Sequence, residues 1–113
     1  MAKNTLRRTW GNNGGVNVMK SSHLQAIADN GSLTIKINGP MDLRLTSALR
    51  EYCHDTGVAY SRYIVDFRNV SIVRDSGLAL LLMLKRLANR AGATLHVING
   101  NTDMMHRCLK LGI

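Results

Sequence analysis

The side chain best placed to do chemistry is Ser76, within Val65-Asp66-Phe67-Arg68-Asn69-Val70-Ser71-Ile72-Val73-Arg74-Asp75-Ser76-Gly77-Leu78. Here a buried strand gives way to a short apolar link and then to the start of a helix. That setting predicts Ser76 as the helix N-cap, its oxygen accepting a first-turn N–H, with Gly77 keeping the approach uncluttered. A phosphate on this oxygen would meet the positive end of the helix dipole, with Arg74 in reach. Spacing alone shows that the site could accommodate a phosphoryl group without assigning one to it. A serine that does no more than cap its helix satisfies the same spacing.

Catalysis finds little support elsewhere. Ser76 has no Gly-x-Ser-x-Gly setting and no histidine near it. The four histidines, His23, His54, His96 and His106, are dispersed, and no two carboxylates are spaced to pair for acid–base work. Gly11 to Gly15 lacks the Gly-Lys-Ser/Thr ending of a phosphate-binding loop. Cys53-His54 and His106-Arg107-Cys108 suggest a composite zinc site, but neither has zinc-finger spacing. Both cysteines fall on apolar helical stripes and read as buried, reduced thiols in a cytoplasmic protein. The expectation is a non-enzyme without cofactor or metal.

The helix after Ser76 carries its own information. At about 100° per residue, Leu80, Leu84, Leu87 and Ala91 form one arc and Lys85, Arg86, Asn89 and Arg90 the opposite one. Leu78, Leu82 and Met83 project on the polar side. An apolar patch rimmed by Arg86 and lying beside a modifiable serine suits a docking surface. Arg74, Asp75, Gly77, Leu78, Leu82, Met83 and Arg86 are therefore the candidate partner-binding residues.

The elements that must position these residues follow from the rest of the 113-residue chain, which is 45% hydrophobic and 19% charged. That length suits one domain, and no apolar run reaches the ~20 residues needed to span a bilayer. The net charge of +8 is half accounted for by Lys3, Arg7, Arg8 and Lys20 in an acid-free N-terminal stretch. Scattered basics without an aromatic platform argue against a specific nucleic-acid site and read instead as a tail that weakly attracts polyanions. Residues 1–22, poor in apolar residues and containing Gly11-Asn12-Asn13-Gly14-Gly15, read as a disordered basic tail.

The folded unit, 23–113, is expected to open with strands Leu24–Ala28 and Leu33–Ile37 around the turn Asp29-Asn30-Gly31-Ser32. A helix through Leu45, Leu49, Tyr52 and Cys53 ends at Gly57. Tyr63-Ile64-Val65 is a buried strand, and Gly77 to Ala91 is the strongest helix. Leu95, Val97 and Ile98 make another short buried strand, and a last helix holds Met104, Cys108 and Leu111. The order β-β-α-β-α-β-α predicts an α/β fold with a mixed sheet of about four strands and helices packed on it.

Two steps in this series resemble the STAS domain (sulfate transporter and anti-sigma factor antagonist). Asp75-Ser76-Gly77-Leu78 is similar to the family's Asp-Ser-Ser-Gly-Leu helix opening, and Asn38-Gly39-Pro40-Met41-Asp42 to its Gly-x-x-Asp step. Leu109-Lys110-Leu111-Gly112 resembles its last-helix ending. The sequence departs from the pattern at Arg74, where an acid is usual, and at Asp75, which stands at the first serine. The resemblance implies that Ser76 is the residue an anti-sigma kinase phosphorylates. It also implies a partner-switching regulator that binds a serine kinase or anti-sigma protein and is reset by a serine phosphatase, with a weak homodimer as a further option. The alternative that the family offers is a non-switching regulatory subunit of a transport or other complex.

Overall fold

The computed structural model describes residues 7–13, 16–54 and 60–113. Its strands are β1 (Arg7–Asn13), β2 (Val16–Lys20), β3 (Leu24–Asp29), β4 (Ser32–Ile37), β5 (Gly39–Met41), β6 (Arg62–Asp66), β7 (Val70–Val73) and β8 (Thr94–Ile98). A 3-10 turn (Leu43–Leu45) leads into helix α1 (Thr46–His54), followed later in the chain by α2 (Asp75–Arg90) and α3 (Thr102–Lys110).

The β3–β4 hairpin forms where the sequence places it, and its turn is dictated by backbone conformation. Asn30 and Gly31 adopt φ of 48° and 79°, the left-handed pair that matches the twist of two antiparallel strands. Leu33, Ile35 and Ile37 of β4 are buried while Ser32, Thr34 and Lys36 are half-buried, the period-2 signature of one core face. β4, β6 and β8 then run parallel, Leu33 beside Tyr63 beside Leu95 and Ile35 beside Val65 beside Val97. Antiparallel pairs extend the sheet on the other side, giving the order β1-β2-β3-β4-β6-β8.

The α/β class with a mixed sheet holds, but the sheet is wider than four strands. Val16–Lys20 pairs antiparallel with β3, and Arg7–Asn13 pairs with β2. The disordered tail over 1–22 is therefore corrected for those residues; 1–6, 14 and 15 lie outside the described residues. The physical reason is visible at Met19, which is completely buried in the core. One fully buried methionine and a row of ladder bonds offset the ordering entropy that the polar composition leaves unmet.

The link after β6 is not a plain loop either. Val70–Val73 pairs in parallel with Gly39–Met41, forming a separate two-stranded sheet. Gly57, expected to stop α1, lies outside the described residues, as do the side chains of Cys53 and His54. Cys108 is a buried free thiol, and burial pushes its pKa up.

Helix α2 begins at Asp75 and buries Gly77, Leu80, Leu81, Leu84 and Ala88. Leu87 is half-buried and Ala91 exposed, so the core stripe is rotated from the expected one. An uninterrupted apolar run from Leu78 to Leu84 cannot choose its own inward face. The small residues Gly77 and Ala88 choose it, because they let the helix approach closely. Among the described residues no helix is long and apolar enough to cross a membrane.

Candidate functional site

The two sequence steps that carry the family resemblance, more than thirty residues apart, meet at one end of the molecule. β5 and β7 lie side by side with Met41 opposite Val73, and the Arg74 N–H donates to the Met41 carbonyl at 3.0 Å. Helix α2 starts directly beyond this contact. A Cβ built on Gly77 would lie 2.2 Å from the Met41 carbonyl oxygen, so only glycine allows the helix to sit against that backbone. The glycine of the Ser-Gly-Leu step is a packing requirement of the Gly-x-x-Asp step.

Ser76 is not the N-cap. That position belongs to Arg74, whose side chain makes no capping bond, and Ser76 is the second residue of the helix. Its Oγ instead accepts the backbone N–H of Leu43 at 3.1 Å. The hydroxyl therefore ties the first turn of α2 to the 3-10 turn after β5. It remains half-buried, within reach of solvent.

Asp42 organises the other side of this junction. Its carboxylate caps the 3-10 turn by accepting the Arg44 N–H at 3.0 Å, and it takes the Arg44 guanidinium through Nε and Nη2 at 2.9–3.2 Å. Arg74 Nε stands 3.9 Å from the same carboxylate. The hydrogen bonds from Arg44's guanidinium and backbone, with the nearby Arg74 charge, hold the Asp42 carboxyl below its ordinary pKa. Arg74, the departure from the family pattern, thus has a carboxylate facing it.

Asp75 is fully exposed, and its Oδ1 accepts from Arg107 Nη2 at 3.2 Å. The other arm of Arg107 donates to the Val73 carbonyl, so a residue of α3 holds the junction of β7 and α2. Neither Leu43 nor Arg107 stands out in the sequence. Leu43 is an unremarkable apolar residue, and Arg107 in the last turn of α3 reads as an ordinary complement to the helix dipole.

The candidate docking residues are spread along α2. Leu78 and Met83 are half-buried and pack partly against the core, a correction to their assignment to the wet face. Leu82 is also half-buried and Arg86 is exposed. Ala79, Leu82, Met83, Arg86, Leu87 and Arg90 line an open groove of about 400 Å³ along the outer side of the helix. Leu87, which the sequence pattern puts in the core, belongs to this groove, and Leu78 does not. Ser76 precedes Ala79 and Met83 by three and seven residues, which places it at the head of the same stripe.

No family model matches the chain. It is 32% identical over 77 residues to a STAS-domain containing protein of Pseudomonas aeruginosa strain UCBPP-PA14, an alignment covering 68% of this chain and 76% of that one. The fold is similar to that of the anti-sigma factor antagonist SpoIIAA in its unphosphorylated form, with a TM-score of 0.65, 18% identity, and 74% and 79% of the two chains covered. It is also similar to a Ser→Glu variant of RsbS from Moorella thermoacetica, with a TM-score of 0.68, 18% identity, and 81% and 80% covered.

Proposed function

Because the chain belongs to the STAS-domain family, we propose that it is a phosphorylation-controlled protein-binding regulator of the anti-sigma factor antagonist type. The observation that carries this reading is the position of Ser76, half-exposed in the first turn of α2 and at the head of the stripe that forms the helix groove. In this reading the unmodified domain docks a serine kinase or anti-sigma protein in the cytoplasm through Leu82, Met83 and Arg86. A serine phosphatase restores that state after phosphorylation.

The switch works through hydration and charge. A phosphate adds about −1.5 to −2 charges at the helix N-terminus, beside Asp75 and one turn from the groove. The helix dipole and Arg74 stabilise that charge, so the domain stays folded. Docking over a strongly hydrated group becomes costly, and an acidic partner rim drawn by Arg86 and Arg90 is repelled.

The test is affinity capture from native extract with wild type and Ser76→Ala, with phosphosites read by mass spectrometry. Binding isotherms for wild type, Ser76→Ala and Ser76→Asp against the captured kinase follow. Phosphate on Ser76, retained binding by Ser76→Ala and weakened binding by Ser76→Asp support the switch. Equal affinities with the fold preserved overturn it and favour a constitutive subunit of a transport or other complex.

A further inference from the structure

The β8 edge of the sheet carries a second apolar groove. β8 pairs with β6 through Thr94 N–H to Ser61 O and Phe67 N–H to Ile98 O. In a parallel ladder, alternate residues turn their backbone groups to opposite sides. The N–H and C=O of Leu95 and Val97 therefore point away from β6, and no strand among the described residues pairs with them. Beside this open edge, Leu95, Val97, Ile98, Met105, Leu109 and Ile113 line a groove of about 330 Å³ between β8 and α3. Ile98 is 40% exposed and Leu109 67% exposed, the latter more than any other large apolar side chain among the described residues.

Open backbone groups in series accept only an extended chain, and apolar pockets along them select alternate side chains of that chain. Charge narrows the occupant further. None of the lining residues is acidic, His96 is exposed on the rim, and His106 and Lys110 are exposed beside Leu109 on α3. A second copy would bring a net charge of +8 against another +8. We propose that this edge is a strand-addition site for an extended partner segment that alternates apolar and acidic residues. The apolar side chains of that segment fill the β8–α3 groove, and its carboxylates, on the opposite face of the added strand, lie toward His96.

The experiment titrates a short synthetic peptide alternating valine and glutamate into the full chain, with amide exchange followed residue by residue. The amides of Leu95 and Val97 slow on binding, and a valine–lysine peptide binds about tenfold more weakly or less. N-methylation of alternate peptide amides, those turned toward β8, abolishes binding, whereas methylation of the intervening amides leaves it intact. Leu109→Glu, at an exposed position, reduces affinity at least about tenfold with an unchanged far-UV spectrum. Equal binding of the acidic and basic peptides, indifference to which amides are methylated, or no slowing at Leu95 and Val97 overturns the proposal. So does a sedimenting dimer with these amides already protected in the absence of peptide, which would make a second copy the occupant.

Discussion

The backbone N–H of Leu43 donates to Ser76 Oγ at 3.1 Å, joining two segments separated by 33 residues. The serine that the family resemblance marks for modification is thus also a tie between the 3-10 turn and the first turn of α2. Phosphorylation would alter the acceptor that Leu43, 66% exposed, relies on. That oxygen ties the turn around Leu43 to the helix whose outer side forms the groove.

Gly77→Ala tests the packing of this junction. Helix propensity alone favours alanine by about 1 kcal/mol. The added methyl would sit 2.2 Å from the Met41 carbonyl oxygen, and a backbone atom cannot swing aside as a flexible side chain can. Overpacking of this kind costs about 1–3 kcal/mol or more, so urea denaturation should show a net loss of stability. A neutral or stabilising result would mean that α2 does not seat against β5 this closely.

The second strand is tested at Met19. Its complete burial predicts that Met19→Ala costs about 2–5 kcal/mol. Deletion of residues 1–20 should lower the melting temperature by more than a few degrees, because it removes the strand that pairs with β3. An unchanged melting temperature would restore the dispensable tail that the composition suggests.

What the sequence makes legible is local. Asn30-Gly31 announces a turn because only a few residue types accept positive φ, and β4 announces itself by strict alternation. β7 could not be read this way: Val70 and Val73 are buried with Ser71 and Ile72 exposed between them, which is no period-2 pattern. β5 has three residues and no pattern at all. A motif points to Ser76, but its partner Leu43 and the arginine that braces its helix lie in other elements, where no spacing rule connects them. The inward face of α2 was hidden by its own leucine run.

That rotated face gives a direct comparison. Leu81 and Leu84 are fully buried, so either truncation to alanine should cost about 2–5 kcal/mol. Leu87 is half-buried and lines the groove, and its truncation should cost only about 1 kcal/mol. Equal losses at Leu84 and Leu87 in chemical denaturation would return the core stripe to the simple amphipathic reading.

Asp66 sets an acid-side dependence. Burial pushes its pKa up, but hydrogen bonds from Asn99 Nδ2 at 3.0 Å and the Arg68 N–H at 2.9 Å, with the Arg68 and Lys36 charges, bring it below the ordinary value. A depressed carboxyl binds fewer protons folded than unfolded, so its contribution is complete above the unfolded value of about 4. It is lost as pH falls through the lower folded value. Denaturation between pH 3 and 6 should therefore show stability rising with pH, with a shallower rise in Asp66→Asn. Parallel curves for the two proteins would count against this role.

Arg107 makes two contacts whose worth differs, and two substitutions separate them. The Asp75 carboxylate is fully exposed, so water screens its pairing with Arg107 and leaves that bond weak. The other arm serves the carbonyl of Val73, a residue only 3% exposed at the end of β7, where water reaches less easily. A charged donor to such a carbonyl is worth about 1.5–3 kcal/mol, and losing it leaves the acceptor poorly satisfied. Asp75→Asn should thus leave the melting temperature almost unchanged, while Arg107→Met, which keeps the stem and removes the donors, should lower it by several degrees. Amide exchange should quicken at Arg74 and Leu78, whose hydrogen bonds fix the start of α2 against Met41 and Arg74. If Asp75→Asn is as damaging as Arg107→Met, the ion pair rather than the carbonyl bond holds the helix that presents Ser76.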